Sequence, residues 1–355
     1  MSVIPKIGIS CGDLNGVGLE VVLKTFEDPR MLQDLTPVLY CGARAVSLHR
    51  RAIGGAEQMP VHGLADAAEA LPRKLNVVHA WEDEAPIELG KPSAAVAAYA
   101  IRSLEAAAND LAAGKVDVLV TAPIDKHTME QAGFGFPGHT EYLAHLAGSS
   151  GGELMMLISE EMRVGTVTGH IPLKDVPAAI TMERILAKAR IMRQSLERDF
   201  GIDGPKIAVL GLNPHAGDGG TLGNEDKERI APAVRKLNEE GITAIGPYPA
   251  DGFFGNGTYQ HFDGILAMYH DQGLAPFKAL SFGHGVNYTA GLPVVRTSPD
   301  HGTAYDIAGL GKADEGSFRH AVWLARDILA NRRAYQKMTA NPLQMQKREK
   351  ERKEK

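Results

Sequence analysis

Residues 206–215 read KIAVLGLNPH. The apolar, β-branched part of this run, 206–212, is too short for a helix and is stopped by Asn213 and Pro214, which predicts a strand buried on both faces. Asn224, followed by Glu225 and Asp226, then opens a helix that closes at Gly241. The same alternation extends in both directions. Strands are expected at 4–10, 37–41, 75–79, 116–121, 154–158, 164–169, 264–269 and 293–297. Between them, the Ala-rich segment 91–113 stops at Gly114, and 181–200 carries Ile185, Leu186, Ala189 and Met192 at helical spacing. Strand–helix alternation of this kind implies an α/β fold, with largely parallel sheets covered by helices on both faces.

Composition bounds the function classes. With 355 residues, 44% hydrophobic and 23% charged, the chain has room for two domains and their cores. A net charge of −5 and the absence of a basic stripe argue against a nucleic-acid partner. No apolar run approaches the ~20 residues of a membrane span. The only cysteines, Cys11 and Cys41, require no oxidising compartment, and no basic leader precedes an apolar stretch, so a cytoplasmic enzyme is expected. The tail KREKERKEK, 347–355, reads as a solvated, charged helix end.

The informative pattern is positional. RVGTVTGH, KIAVLGLNPH and GILAMYH are apolar strands ending at His170, His215 and His270. Ligands gather beyond the carboxyl ends of strands in α/β sheets, and imidazole is the commonest transition-metal ligand. One strand-end histidine is more often an ordinary hydrogen-bonding residue; three in the same topological position favour a shared divalent metal. A second cluster suggests an anion site: Lys278, Asn287 and Arg296, with Arg296 at the end of PVVRTS, and His139 and Thr140 at the start of the helical GHTEYLAHLA. Free N–H groups at a helix start attract phosphate, and arginine offers a forked donor. GDLNGVGLE, from Gly12 to Glu20, follows the first strand as a small-residue loop, and DHGTAYDIAG, 300–309, is another. The match to G-x-G-x-x-G at Gly133, Gly135 and Gly138 follows no strand and contains Pro137, so it is not a Rossmann fingerprint. Lys126, in a segment that also holds Asp125 and His127, and Asp251 are candidates for acid–base work, or plain cap and turn residues.

Taken together, GLNPHAGDGGTLGNED, YHDQGLAPFK, GHTEYLA, TAPIDK, GHIPL, GPYPAD and RTSPDHGTAYDIAG resemble the 4-hydroxythreonine-4-phosphate dehydrogenase family of vitamin B6 synthesis, from about residue 6 to 329. DHGTAYDIAG is also similar to the cofactor loop of isopropylmalate and isocitrate dehydrogenases. The resemblance implies two α/β/α domains with a cleft between them: 1–130 plus 284–340, carrying both small-residue loops, and 131–283, which binds metal and substrate and dimerises, followed by a charged tail, 341–355. It implies that His170, His215 and His270 bind one divalent metal per subunit (zinc, magnesium or cobalt). It also implies that His139, Thr140, Lys278, Asn287 and Arg296 contact a phosphorylated substrate. Asp13, Gly16, His301, Gly302 and Asp306 would serve NAD or NADP. A homodimer with the site at the subunit interface is implied too, so the histidines need not come from one chain. One departure stands out: the family's loop usually reads G-D-P-A-G-I-G-P-E, and here Leu14 and Leu19 replace prolines while Asn15 replaces alanine.

The implied reaction oxidises the secondary alcohol of 4-phosphooxy-L-threonine by hydride transfer and then decarboxylates the product to 3-amino-2-oxopropyl phosphate. Lys126, Asp251 and a metal-bound water are the alternatives for the base. Rival readings are a dehydrogenase of threonate or erythronate 4-phosphate, a metal-dependent phosphatase using the same histidines and anion site, and a non-catalytic binding protein of the same fold.

Overall fold

The computed structural model describes residues 4–54, 59–148, 152–281 and 283–341, so the charged tail beyond 341 lies outside the described residues. The strands are β1 (Lys6–Ser10), β2 (Thr36–Cys41), β3 (Val61–Leu64), β4 (Leu75–His79), β5 (Val118–Thr121), β6 (Leu154–Ile158), β7 (Arg163–Thr166), β8 (Ile207–Leu210), β9 (Ala244–Tyr248), β10 (Gly264–Ala267), β11 (Val286–Ala290) and β12 (Arg296–Pro299). They form one continuous sheet in the order β3-β4-β2-β1-β5-β12-β11-β6-β7-β10-β8-β9. Its first six strands are mutually parallel, and so are its last four.

The centre departs from the expected parallel pattern. β11 runs antiparallel to β12 and β6, and β6 antiparallel to β7. β6 and β7 are joined by the short turn 159–162, which antiparallel neighbours permit and parallel ones do not. Three reversals leave the two parallel blocks pointing in opposite senses. β1 to β5 and β12 make one block, β7 to β10 the other, and β6 and β11 join them.

The long helices Ala94–Ala112, Met182–Arg198 and Gly316–Thr339 bury their apolar faces on the sheet. At the seam, Asp199 is wholly buried and accepts hydrogen bonds from Ser195 Oγ (2.8 Å), Arg198 Nε (2.8 Å), Arg332 Nε (2.7 Å) and the Tyr288 hydroxyl. This carboxylate fastens the helix Met182–Arg198 to β11 and to the C-terminal helix. Among the described residues, no helix is long and apolar enough to cross a membrane.

Candidate active site

Arg296 opens β12; it does not end a strand, as the sequence suggested, because residues 291–295 form the turn that leads in from β11. Its register partner on β5 is Leu119, so Thr121, two residues on, shares its face of the sheet. Arg296 Nε and Nη2 donate to Thr121 Oγ1 at 3.1 and 2.7 Å, and Nη2 also donates to His139 Nδ1 at 3.1 Å. Among the described residues, no carboxylate lies within ion-pair distance of this guanidinium. It is 4% exposed, and burial pulls its pKa down to about 10, which leaves it charged at neutral pH.

That contact fixes the state of His139. An arginine only donates, so Nδ1 is the acceptor and the proton of the neutral ring sits on Nε2. Nε2 is buried and has no partner. Burial first, then the charges of Arg296 and Lys126, holds the ring's pKa well below its ordinary value. A buried N–H without an acceptor, beside a buried cation that has no carboxylate in contact and only the more distant charge of Glu141, is chemistry that an anion would satisfy. Thr140 follows at the start of the helix His139–Leu146 and meets Thr289 Oγ1 at 3.3 Å. Strand alternation puts Asn287 on the same side of β11 as Thr289, and the Asn287 Oδ1 is buried without a partner. Lys278 pairs with Asp300 at 3.4 Å and, with His301 and Ala304, lines a cavity of about 380 Å³.

The three histidines divide two and one. His170 follows β7, and His270 is the first residue of the helix His270–Leu280, three residues past β10. Their rings lie 5.2 Å apart, centre to centre. His270 Nδ1 is 2.7 Å from Asp271 Oδ1, which turns Nε2 outward, the arrangement usual in ligating histidines. Burial, Lys126 and His270 lower the pKa of His170, favouring the neutral ring a metal needs. His215 sits in the exposed segment Pro214–Gly220, where His215, Ala216 and Asp218 have positive φ of 54°, 51° and 43°. Non-glycine residues are costly there and need outside support. Asp226 provides it: 2% exposed, it accepts from Leu212 N (2.8 Å), Asn213 N (3.1 Å) and Asn213 Nδ2 (2.9 Å). The sequence marked Asp226 only as a helix-start residue. Among the described residues of a single chain, no three His, Cys, Asp or Glu side chains come together as a metal site.

Of the two acid–base candidates, Lys126 opens the helix Lys126–Gln131, capped by Asp125, and its charge acts on both His139 and His170. It therefore acts electrostatically on both the anion pocket and the imidazole pair. Asp251, exposed in the first turn of the helix Ala250–Gly255, lines a cavity of about 530 Å³ with Asn213, Pro214 and Tyr269.

The two small-residue loops pack on each other. Asp13 is buried, with Oδ2 taken by the Tyr305 hydroxyl (2.6 Å) and Oδ1 by Asn15 N (2.8 Å). A Cβ on Gly16 would fall 2.7 Å from Thr303 O, so only glycine permits this approach. Both residues thus shape the loop 301–306 from beneath. Gly302 and Asp306 are exposed on it, and His301 Nε2 is buried without a partner. The unusual Asn15 has a structural role: Nδ2 donates to Lys91 O (2.6 Å) and Oδ1 accepts from Glu88 N (2.8 Å), tying in a third segment.

The family described as pyridoxal phosphate biosynthetic protein PdxA matches residues 33–325. The chain belongs to this family. A 4-hydroxythreonine-4-phosphate dehydrogenase from Bacteroides thetaiotaomicron is 51% identical, over 97% of this chain and 94% of the relative. Among solved structures, the 4-hydroxythreonine-4-phosphate dehydrogenase from Klebsiella pneumoniae superposes with a TM-score of 0.78 at 34% identity, covering 93% of this chain and 98% of that one. The enzyme of that name from Burkholderia phymatum gives 0.75 at 37% identity, covering 92% and 99%.

Proposed function

We propose that this PdxA-family protein is an oxidoreductase that oxidises 4-phosphooxy-L-threonine with NAD or NADP as hydride acceptor, the product losing carbon dioxide to give 3-amino-2-oxopropyl phosphate. The observation that supports the reading is the buried Arg296, with no carboxylate in contact among the described residues, beside the unpartnered Nε2–H of His139. Together with Thr140 and the free N–H groups of its helix start, they form a dry donor set suited to a phosphate dianion. Holding the phosphate end fixes where the secondary alcohol lies, so binding energy from the remote group serves orientation at the reacting carbon.

His170 and His270 fit a divalent ion, being paired and one of them carboxylate-oriented. Zinc, magnesium or cobalt, when bound, would acidify the alcohol and stabilise the enolate that decarboxylation leaves. The third imidazole is proposed to be His215 of a second copy, which makes the working unit a homodimer with the site at its interface. The support is that His215 sits on an exposed loop, with Leu173 (69% exposed) and Leu222 (44% exposed) uncovered near His170 and His215 in sequence. Lys126, whose charge acts on both clusters, is proposed to exchange the hydroxyl proton; Asp251, which lines a cavity with Asn213 and Pro214, is the alternative. The loop 301–306 and its cavity are proposed for the nucleotide.

The test is a substrate panel with and without a chelator, following nicotinamide reduction and carbon dioxide together. Chelator-sensitive, coupled formation of both from 4-phosphooxy-L-threonine is expected. A preference for erythronate or threonate 4-phosphate would move the assignment to the sister reaction. Phosphate release without nucleotide would replace it with a phosphatase.

A further inference from the structure

We propose that Thr121, the last residue of β5, is the positioning residue of the anion pocket, and that it is a threonine because the guanidinium must be held without being neutralised. The inference rests on the phosphate reading of Arg296 and His139. Among the described residues Arg296 has two hydrogen-bond partners, and two of its three hydrogen bonds end on a single oxygen, Thr121 Oγ1; Glu141 acts on it only at longer range. A hydroxyl oxygen has two lone pairs, so it can accept from Nε and Nη2 at once and fix the plane of the fork. Thr121 is wholly buried, and its β-branched side chain is stiff about χ1, so the anchor does not move. Nη2, fixed in this way, reaches His139 Nδ1 and dictates the tautomer that presents Nε2–H.

A carboxylate in place of Thr121 would hold the same fork more strongly, as Asp199 holds Arg332. It would also cancel the charge that the ligand requires. The hydroxyl supplies geometry and leaves the charge available. Thr121 need not touch substrate to do this; it acts through Arg296 and, beyond it, His139.

Three variants test the idea in the full-length protein, with inorganic phosphate as a competitive inhibitor and the phosphorylated hydroxyamino acid as substrate. Thr121→Val removes the acceptor while keeping the shape. KM for the substrate and Ki for phosphate are expected to rise about tenfold, with the nucleotide KM within about twofold of wild type. Thr121→Ser restores the hydroxyl and should recover both constants to within about threefold. Thr121→Asp keeps the anchor and cancels the charge. It should melt no lower than wild type yet lose phosphate inhibition by about a hundredfold, which covers the case in which the valine variant does not fold. Wild-type constants in Thr121→Val, or undiminished phosphate inhibition in Thr121→Asp, would overturn the inference. If phosphate fails to compete even in the wild-type protein, the phosphate reading itself is wrong, and that outcome is seen before any variant is made.

Discussion

Two buried arginines, Arg332 and Arg296, show how differently one chain treats the same group. Arg332, 7% exposed, donates from Nε to Asp199 (2.7 Å), from Nη1 to Pro293 O (2.9 Å) and from Nη2 to the Tyr288 hydroxyl and Leu292 O (both 3.2 Å). It has a carboxylate in contact, shared with Arg198, and four of its five N–H groups go to protein acceptors. Arg296, 4% exposed, has a hydroxyl and an imidazole as its hydrogen-bond partners among the described residues and no carboxylate in contact; the charge of Glu141 acts on it only from farther off. Removing a cation from water costs several kcal/mol unless a partner compensates. The fold compensates that cost at Arg332 and leaves it standing at Arg296, where an anion from outside would offset it. The first arginine joins the sheet's centre to the C-terminal helix; the second is the one proposed to take an anionic ligand.

The comparison breaks first, if it breaks, at Arg296. Arg296→Met is expected to lower kcat/KM on the phosphorylated substrate by about a thousandfold, equivalent to about 4 kcal/mol of lost charge-assisted hydrogen bonding. Its melting temperature should hold or rise, because an uncompensated buried charge has been removed. A large drop in stability would mean that Arg296 is structural after all. Arg332→Met should do the reverse. It leaves Asp199 buried with less compensation, so urea unfolding should show a loss of about 3 kcal/mol, while KM in the folded fraction is unchanged. A substrate-specific loss there would erase the distinction.

Sequence reading reached these two arginines unequally. The apolar runs that became β1, β2, β4, β5, β6, β7, β8 and β10 were legible because each is buried and bounded by turn residues. β3 is half-exposed, β9 contains Pro247 after a cis bond, and β11 carries Asn287 on its inward alternation, so none of the three has the apolar signature. Missing β11 hid the antiparallel centre of the sheet and displaced Arg296 to the wrong end of its strand. Arg296 and His139 were still legible as anion-site candidates from residue type and local pattern. Thr121 was not: a threonine at a strand end is unremarkable until the β5–β12 register puts it beside a guanidinium. Asp199 and Asp226 look like plain helix-end residues, and their buried hydrogen bonds come from elements that only the fold brings near. The histidine trio was legible as three strand ends, yet within one chain only His170 and His270 meet. Opposite strand directions in the two blocks are a property of the whole sheet, beyond any local pattern.

The finest test converts one arginine's situation into the other's. Asp199→Asn keeps a side chain of the same shape, still able to accept from Ser195 and Tyr288, but leaves Arg332 resembling Arg296: buried, hydrogen-bonded and less compensated. A loss of about 2 kcal/mol is expected at neutral pH, smaller than for removing a partner outright. Its pH dependence identifies the cause. Burial alone would raise the Asp199 pKa; Arg198 and Arg332 outweigh it and set the folded value below the ordinary 3.8. A depressed carboxylate pKa contributes stability that is complete above the unfolded pKa and disappears as pH falls through the folded one. The gap between wild type and Asp199→Asn should therefore stay constant from pH 7 to about pH 5 and close below about pH 4. Other carboxylates titrate in the same range, but they do so in both proteins and cancel in the difference. A gap that persists undiminished in acid would mean that Asp199 works by shape and neutral hydrogen bonding alone. Arg332 would then be as uncompensated as Arg296, and lack of a carboxylate in contact could no longer separate the arginine proposed to bind a ligand from the structural one.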